Sequence, residues 1–253
     1  MSIFTRGEEA KKALENQGGG GGLLDSDKGF IRLRAGESRK VRILSKVDYV
    51  AYKAHGHFKN GIFTQPCIAP AGERCLLCEA SSYDGELVGK RIGTVENMKG
   101  ESVSEWNSMY AKKRVLFAFV DLEEDMIRVF DATKTQAEGL IQTIDEYGDD
   151  LSDMAFTLKR TGERLDTTYS LNPIMPKKMA EVQEAFDKYD GKEVPDELFS
   201  EALHARTTDE QAKELQKSGF PVEEVFGITV DLSDGGSNAV ADTKDVSDED
   251  LPF

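Results

Sequence analysis

Residues 31–43 alternate apolar and charged side chains. In "FIRLR", Ile31 and Leu33 fall on one side and Arg32 and Arg34 on the other. In "RKVRIL", Val41 and Ile43 oppose Lys40 and Arg42. A period of two belongs to a half-buried strand, because helical apolar positions recur every three to four residues. The Ala-Gly-Glu-Ser segment between the two runs supplies a turn, so together they predict a hairpin. "VDYVAYKAHGHF" extends the β pattern, and "RVLFAFVDL" and "MIRVFDA" are further β-rich runs joined by an acidic turn. "AFTLKRTGERLDTTYSL" reads as another hairpin, turning at "TGER". One amphipathic helix, "TKTQAEGLIQTIDEYG", is inserted, with Leu140, Ile141 and Ile144 as its apolar stripe. Short strands with an inserted helix predict a mainly β chain of the α+β class. A small, partly open barrel of OB-fold type is the leading candidate.

Composition shifts mark the flanks. Five consecutive glycines at 18–22 cannot be held in a helix or strand at reasonable entropic cost. Residues 1–22 are therefore an arm on a tether, with 1–17 read as a short helix carrying Ala10, Ala13 and Leu14 on one side. The barrel and its metal-ligand loop occupy 23–172, the loop spanning about 55–80. Beyond Pro173 the pattern turns helical, beginning with "KKMAEVQEAFDKYD", which predicts a helical extension over 173–230. From Asp231 the chain is rich in Asp, Ser, Gly and Asn, so 231–253 is predicted to be a disordered acidic tail. No run approaches the roughly 18 apolar residues of a membrane span. The N-terminus has no apolar core before a small-residue cleavage site, so it is not a secretory signal. Three cysteines fit a disulfide framework poorly, which points to a reducing cytoplasm.

All three cysteines and two of the three histidines lie in "HGHFKNGIFTQPCIAPAGERCLLC". Cys75 and Cys78 form a C-x2-C knuckle. Cys67 precedes it, and His55 and His57 precede Cys67. Three thiolates and one imidazole make a closed tetrahedral Cys3His set, the donor set of one structural zinc. His55 and His57 project on the same face of an extended strand, so spacing does not choose between them. The zinc deaminase pattern needs H-x-E and P-C-x-x-C. Here neither histidine has a glutamate at the second-next position, and Arg74 precedes Cys75. The expected role is structural.

The net charge of −15 is segregated. Residues 28–60 hold nine Lys or Arg against two acids, a balance of +7, whereas 231–253 hold seven acids and one lysine, or −6. A basic segment at 28–60 and an acidic tail at 231–253 differ from a uniformly acidic chain and leave nucleic acid open as a partner. Aromatics are interleaved with the basic residues, as in grooves that hold single strands by phosphate neutralisation and base stacking. The candidates are Arg32, Arg34, Lys40, Arg42, Tyr49, Tyr52, Lys53, Phe58, Lys59, Trp106, Tyr110, Lys112, Lys113, Arg114 and Arg128. Phe117 and Phe119, inside an apolar run, read as core.

These motifs resemble the phage replication single-stranded DNA-binding proteins, the family of the T-even phage helix-destabilising protein. "HGHFKNG" is similar to the family's H-G-x-x-K-N-G at His55, Gly56, Lys59, Asn60 and Gly61. "RCLLC" stands where the family has C-P-x-C, with Leu76 in place of proline. The resemblance implies an OB-fold whose zinc is bound by His55, Cys67, Cys75 and Cys78. It implies backbone contacts from Lys112, Lys113 and Arg114 in "KKRVLFAFV". It also implies that the N-terminal arm docks on a neighbouring subunit for cooperative self-association. The arm is only weakly basic, since Glu8, Glu9 and Glu15 offset Arg6, Lys11 and Lys12. The tip "SDEDLPF" is similar to the D-D-D-I-P-F end of bacterial single-stranded DNA-binding proteins. That implies partner binding by Asp248, Glu249, Asp250, Leu251, Pro252 and Phe253.

The expected function is a non-enzymatic, phage-type single-stranded DNA-binding protein acting in replication and recombination in the cytoplasm of an infected bacterium. Its partners would be phage replication proteins, recruited through the tail. The competing readings are a zinc-containing nuclease or primase accessory and an RNA-binding regulator. The chain shows no G-x-x-x-x-G-K phosphate loop, and the adjacent acids Asp121, Glu123, Glu124 and Asp125 fall in a predicted turn.

Overall fold

The computed structural model describes residues 3–6, 29–87, 90–91, 93–97 and 99–232. The first four strands are β1 (Phe4–Arg6), β2 (Ser38–Arg42), β3 (Tyr49–His57) and β4 (Ile62–Pro66). Two small hairpins follow, β5 (Glu86–Leu87) with β6 (Lys90–Arg91) and β7 (Thr94–Glu96) with β8 (Ser102–Ser104). The remaining strands are β9 (Lys112–Asp121), β10 (Met126–Thr133), β11 (Ala155–Thr161) and β12 (Thr168–Pro173). Helices are α1 (Leu76–Ser82), α2 (Lys134–Glu146), α3 (Pro176–Met179), α4 (Gln183–Asp187), α5 (Asp196–Ala202), α6 (Thr208–Lys217) and α7 (Val222–Phe226).

β9 is the spine of the eight-stranded main sheet. One edge takes β10, from Met126↔Asp121 to Thr133↔Arg114. Along the other edge β3 runs from Tyr49↔Phe117 to Ala54↔Lys112, and β2 joins at Val41↔Asp121. β2 and β3 thus share one edge of β9, separated by loop 43–48, and then diverge. β2 passes on to β11 and β12, whereas β3 takes β1 and β4 on its outer edge. The divergence curls the antiparallel sheet into a half-barrel compatible with an OB-like fold.

Both faces of β9 are buried. Val115, Phe117 and Phe119 pack with Tyr49, Phe130, Phe156 and the α2 residues Leu140, Ile141 and Ile144. Leu116 and Ala118 pack on the opposite face with Val50, Tyr52, Phe199 and Leu203. That two-sided cover explains why "RVLFAFV" is continuously apolar. A capping box starts α2: the Thr133 hydroxyl accepts from the Gln136 N–H, and the Gln136 side chain accepts from the Thr133 N–H. The β11–β12 turn demands glycine at 162. The residue has φ +76°, and a Cβ there would stand 2.1 Å from the Asp166 carbonyl oxygen.

Two expectations change. Ile31 and Leu33 are buried and Arg32 and Arg34 exposed, as their alternation predicts, but 31–34 do not pair with β2. Both edges of β2 are occupied by β9 and β11. The segment instead lies beside β10, with a parallel bridge at Phe30↔Val129. At the N-terminus, residues 4–6 are a strand and not helix, because the outer edge of β3 pairs with them and Phe4 packs near Tyr52. The helices between 176 and 226 cover three separate clusters. α3 and α4 sit over Val120 and Ala155, α5 over Leu116 and Ala118, and α6 with α7 over the cysteine-bearing segment. The glycine run at 18–22 and the tail residues Asp248, Glu249, Asp250, Leu251, Pro252 and Phe253 lie outside the described residues. No helix among the described residues is long and apolar enough to cross a membrane.

Candidate metal centre and an adjoining aromatic face

His55 ends its side chain against three sulfurs. It stands near the close of β3, Cys67 directly follows β4, and Cys75 and Cys78 bracket the first turn of α1. The β3–β4 pair therefore carries two of the groups and the short helix the other two. The ligand atoms of His55, Cys67, Cys75 and Cys78 all lie within 4.8 Å of one another. Cys67 Sγ is 4.0 Å from Cys75 Sγ and 3.4 Å from Cys78 Sγ. His55 Nε2 is 3.5 Å from Cys75 Sγ and 3.4 Å from Cys78 Sγ. Four donors so spaced could hold one metal ion.

The surroundings orient the imidazole. His55 Nδ1 lies 2.8 Å from the Met109 carbonyl oxygen, an acceptor, so Nδ1 donates there and Nε2 is the nitrogen turned toward the sulfurs. Leu76, Leu77, Trp106, Leu215 and Phe220 wrap the cluster in apolar surface. Burial pulls the His55 pKa down, but contacts with the Cys67 and Cys75 sulfurs and the Met109 carbonyl outweigh it and raise it to about 9. Hydrogen bonds from Cys67 and Cys78 hold Cys75 far below the ordinary thiol range. Contacts with Cys67 and Cys75, together with burial, push Cys78 far above it. The cluster favours a thiolate, the form of cysteine that binds metals.

His57 is not part of this set. Its ring stacks on Trp106 at 4.9 Å between centroids, and Nε2 lies 3.2 Å from the Glu105 carbonyl oxygen. It is buried, at 5% exposure.

The residues expected to contact DNA divide sharply. Burial removes Tyr49, Tyr52, Trp106, Arg42 and Arg114 from any ligand surface. Tyr49 sits in the α2 core, and Trp106, 2% exposed, packs between His57 and Phe220. Arg114 is paired with Asp131, which also accepts from the Tyr52 hydroxyl. Arg42 lies 3.8 Å over the Phe186 ring and bonds Asp190 at 2.8 Å, fastening α4 to the sheet. Three more are engaged with acids: Arg128 with Asp121, Lys40 with Glu181 and Lys59 with Glu105. Glu181 and the Arg42 partners Phe186 and Asp190 come from the region after 176, whereas Asp121 lies in β9 and Glu105 just before it.

What remains exposed gathers at one end of the β3–β4–β9 sheet. Tyr110 is 50% exposed, with Lys112 Nζ 5.1 Å from its ring centroid. Phe58 and Phe63 meet edge to face at 6.1 Å. Sequence reasoning missed Phe63, which is 43% exposed. Its exposure follows from a β-bulge: β3 pairs β4 at His55↔Gln65 and again at His57↔Ile62, so Gly56 alone opposes Phe63 and Thr64. The extra residue re-aims the ring outward, and nothing in the local sequence marks it. On the other face of the sheet Lys53 lies directly opposite Lys113. Burial and the charges of Lys53 and Lys134 lower the Lys113 pKa, so Lys113 has an ammonium group near it on either side. Lys134 was also missed, because it reads simply as the start of a helix.

No family model, curated protein or solved structure matches this chain.

Proposed function

We propose that the protein binds single-stranded DNA without catalysis, as a replication-type coating protein. The observation that carries this reading is the exposed aromatic and cationic end of the β3–β4–β9 sheet. Phe58, Phe63 and Tyr110 offer flat faces for bases, and Lys112, Lys53 and Lys113 offer charge for phosphates. A curled sheet compatible with an OB-like barrel is a common support for such a surface. Arg32 and Arg34 are exposed and add to the positive field.

The four-donor cluster is read as one structural zinc held by His55, Cys67, Cys75 and Cys78. A tetrahedral zinc with Zn–S near 2.3 Å and Zn–N near 2.0 Å sets S···S at about 3.8 Å and S···N at about 3.5 Å. The separations of 3.4–4.0 Å and 3.4–3.5 Å fit that frame. A filled shell leaves no open position for water, so the ion braces the segment from β3 to α1 beside the aromatic face. The acidic tip would recruit replication partners of a phage in its bacterial host, and the N-terminal arm would serve self-association.

A two-metal nuclease site needs free carboxylates. Asp121 is fully buried, accepts from the Glu123 and Glu124 backbone N–H groups and is bound by Arg128. It is a turn-and-core group. The test is fluorescence anisotropy with labelled oligo-dT, oligo-rU and duplex DNA. Tightest binding to oligo-dT is expected, equal or tighter binding to duplex overturns the reading, and preference for oligo-rU replaces DNA with RNA.

A further inference from the structure

Gly56 has no conformational reason to be glycine. It lies inside β3, it is not among the glycines with positive φ, and β-branched or aromatic residues are what strands favour. Nor does crowding require it. A Cβ at 56 would meet Thr64 Oγ1 at 3.5 Å and the Phe58 ring at 3.6 and 3.7 Å, which is ordinary contact. The fold tolerates a side chain there, and the strand would be stronger with one.

What surrounds the bare position is the exposed aromatic surface. Gly56 opposes the bulge that carries Phe63 and Thr64, and Phe58 lies against it. On the other side Ala54 pairs Lys112, and continuing that register by two residues sets Tyr110 opposite Gly56. His55 and His57 point to the opposite face, into the metal cluster and Trp106. The backbone at Gly56 is therefore a flat floor with Phe58 and Phe63 on one flank, Tyr110 on the other, and the Lys112 ammonium beside Tyr110.

We infer that Gly56 is the floor of a seat for one nucleobase, held open by the missing side chain. The base lies on the strand backbone and stacks on the flanking rings, while Lys112 takes the adjoining phosphate. The occupant is a nucleobase and not an apolar peptide because a cation stands at the rim, the Lys112 ammonium 5.1 Å from the Tyr110 ring centroid. Aromatic faces with lysines at their edge complement a chain of alternating bases and phosphates. The inference rests on the single-strand reading above and assigns it one specific position.

The experiment compares Gly56→Val and Gly56→Ala with the wild-type full chain for binding of labelled oligo-dT. Thermal unfolding and bound metal are measured on each protein. Valine fills the seat and is expected to weaken binding about tenfold or more, the worth of one stacked base. Alanine fills less and is expected to weaken it by less. Unchanged thermal midpoint and metal content would assign the loss to the seat. Either variant folded with wild-type affinity overturns the seat while leaving single-strand binding intact. Wild-type protein that fails to bind oligo-dT overturns both. A second readout needs no variant: photocrosslinking of oligo-dT containing 5-iododeoxyuridine. Crosslinks at Phe58, Phe63 or Tyr110 are expected, and crosslinks confined to other residues overturn the seat.

Discussion

Arg114 and Asp131 close a buried ion pair, with Nη2 2.6 Å from Oδ2 and Nε 2.9 and 3.0 Å from the two carboxylate oxygens. The Tyr52 hydroxyl adds a bond of 2.9 Å to the same carboxylate. Removing one member leaves the other charged and buried without compensation, which costs about 3–5 kcal/mol. Arg114→Ala is expected to destabilise the protein by that amount in urea. Replacing both charges, as Arg114→Met with Asp131→Leu, is expected to cost far less. A basic residue that merely touched phosphate would give the opposite pattern, with full stability and weakened DNA binding.

That pair marks where the sequence stops being readable. The β character of β2, β3, β9, β10, β11 and β12 was visible in their own segments, and the Cys3His set was visible because all its cysteines fall within twelve residues. The helix at 134–146 announced itself by its stripe and cap. The fate of "KKR" was not visible, because it depends on what covers each face. Lys112 and Arg114 share one face, but only Arg114 lies deep enough to need Asp131, which arrives from β10. Tyr49 and Tyr52 looked equally able to stack bases until α2 and the helices beyond 176 took both faces of the sheet. The bulge that exposes Phe63 is a pairing irregularity between two strands, and no single-strand pattern encodes it.

Trp106 provides an optical check on this division. It is wrapped by His57 on one ring face and Phe220 at its edge. Its emission is expected to be blue-shifted, weakly quenched by acrylamide, and little changed by saturating oligo-dT. Tyrosine emission, which includes Tyr110, is expected to change instead. Strong quenching of Trp106 by the oligonucleotide in the metal-loaded protein would place that ring in the DNA path and contradict its burial.

Removing the metal should uncouple part of the core. The same apolar cluster contains Cys67, Cys75, Leu76, Leu77, Leu215 and Phe220, so a bound ion and the α6 contacts would reinforce each other. Native mass spectrometry is expected to find one zinc per chain, and Cys75→Ser to abolish it. Losing a few kcal/mol of metal-linked stability lowers the midpoint of a chain of this size by roughly 2–4 °C per kcal/mol. A fall of about 10 °C is therefore expected on chelation. Wild-type protein that is metal-free and equally stable refutes the brace.

His57 should make stability depend on mildly acidic pH. Burial lowers its pKa from 6.5, and the Lys59 charge adds to this, although the Glu105 carbonyl and carboxylate oppose it. Between the lowered value and 6.5 the unfolded chain binds more protons than the folded one. Stability therefore rises with pH across that window and is lost as pH falls below 6.5. His57→Phe keeps a ring against Trp106 but carries no proton. The wild type is expected to lose more stability than this variant between about pH 7.5 and about pH 5.5. Acid release of the metal is common to both proteins and cancels in the comparison. Parallel losses would contradict the assignment.

The row formed by Lys53, Lys113 and Lys134 works against folding, and that conflict gives a two-sided test. Lys53 and Lys113 are direct cross-strand partners, and like charges so placed destabilise a sheet by roughly 0.2–1 kcal/mol. Lys134 has Glu138 at 3.6 Å to offset part of its charge, yet it still lowers the Lys113 pKa. A phosphate settling on the row would relieve the repulsion. Lys113→Gln is therefore expected to raise the stability of the free protein by a few tenths of a kcal/mol. The same change should weaken oligo-dT binding. Each lost phosphate contact flattens the log-affinity against log-salt slope by about 0.7 for a single strand, so Lys53→Gln with Lys113→Gln should flatten it by about 1.4. A double variant that is no more stable and keeps the wild-type slope would remove these lysines from the phosphate path. Binding would then rest on the aromatic face and Lys112.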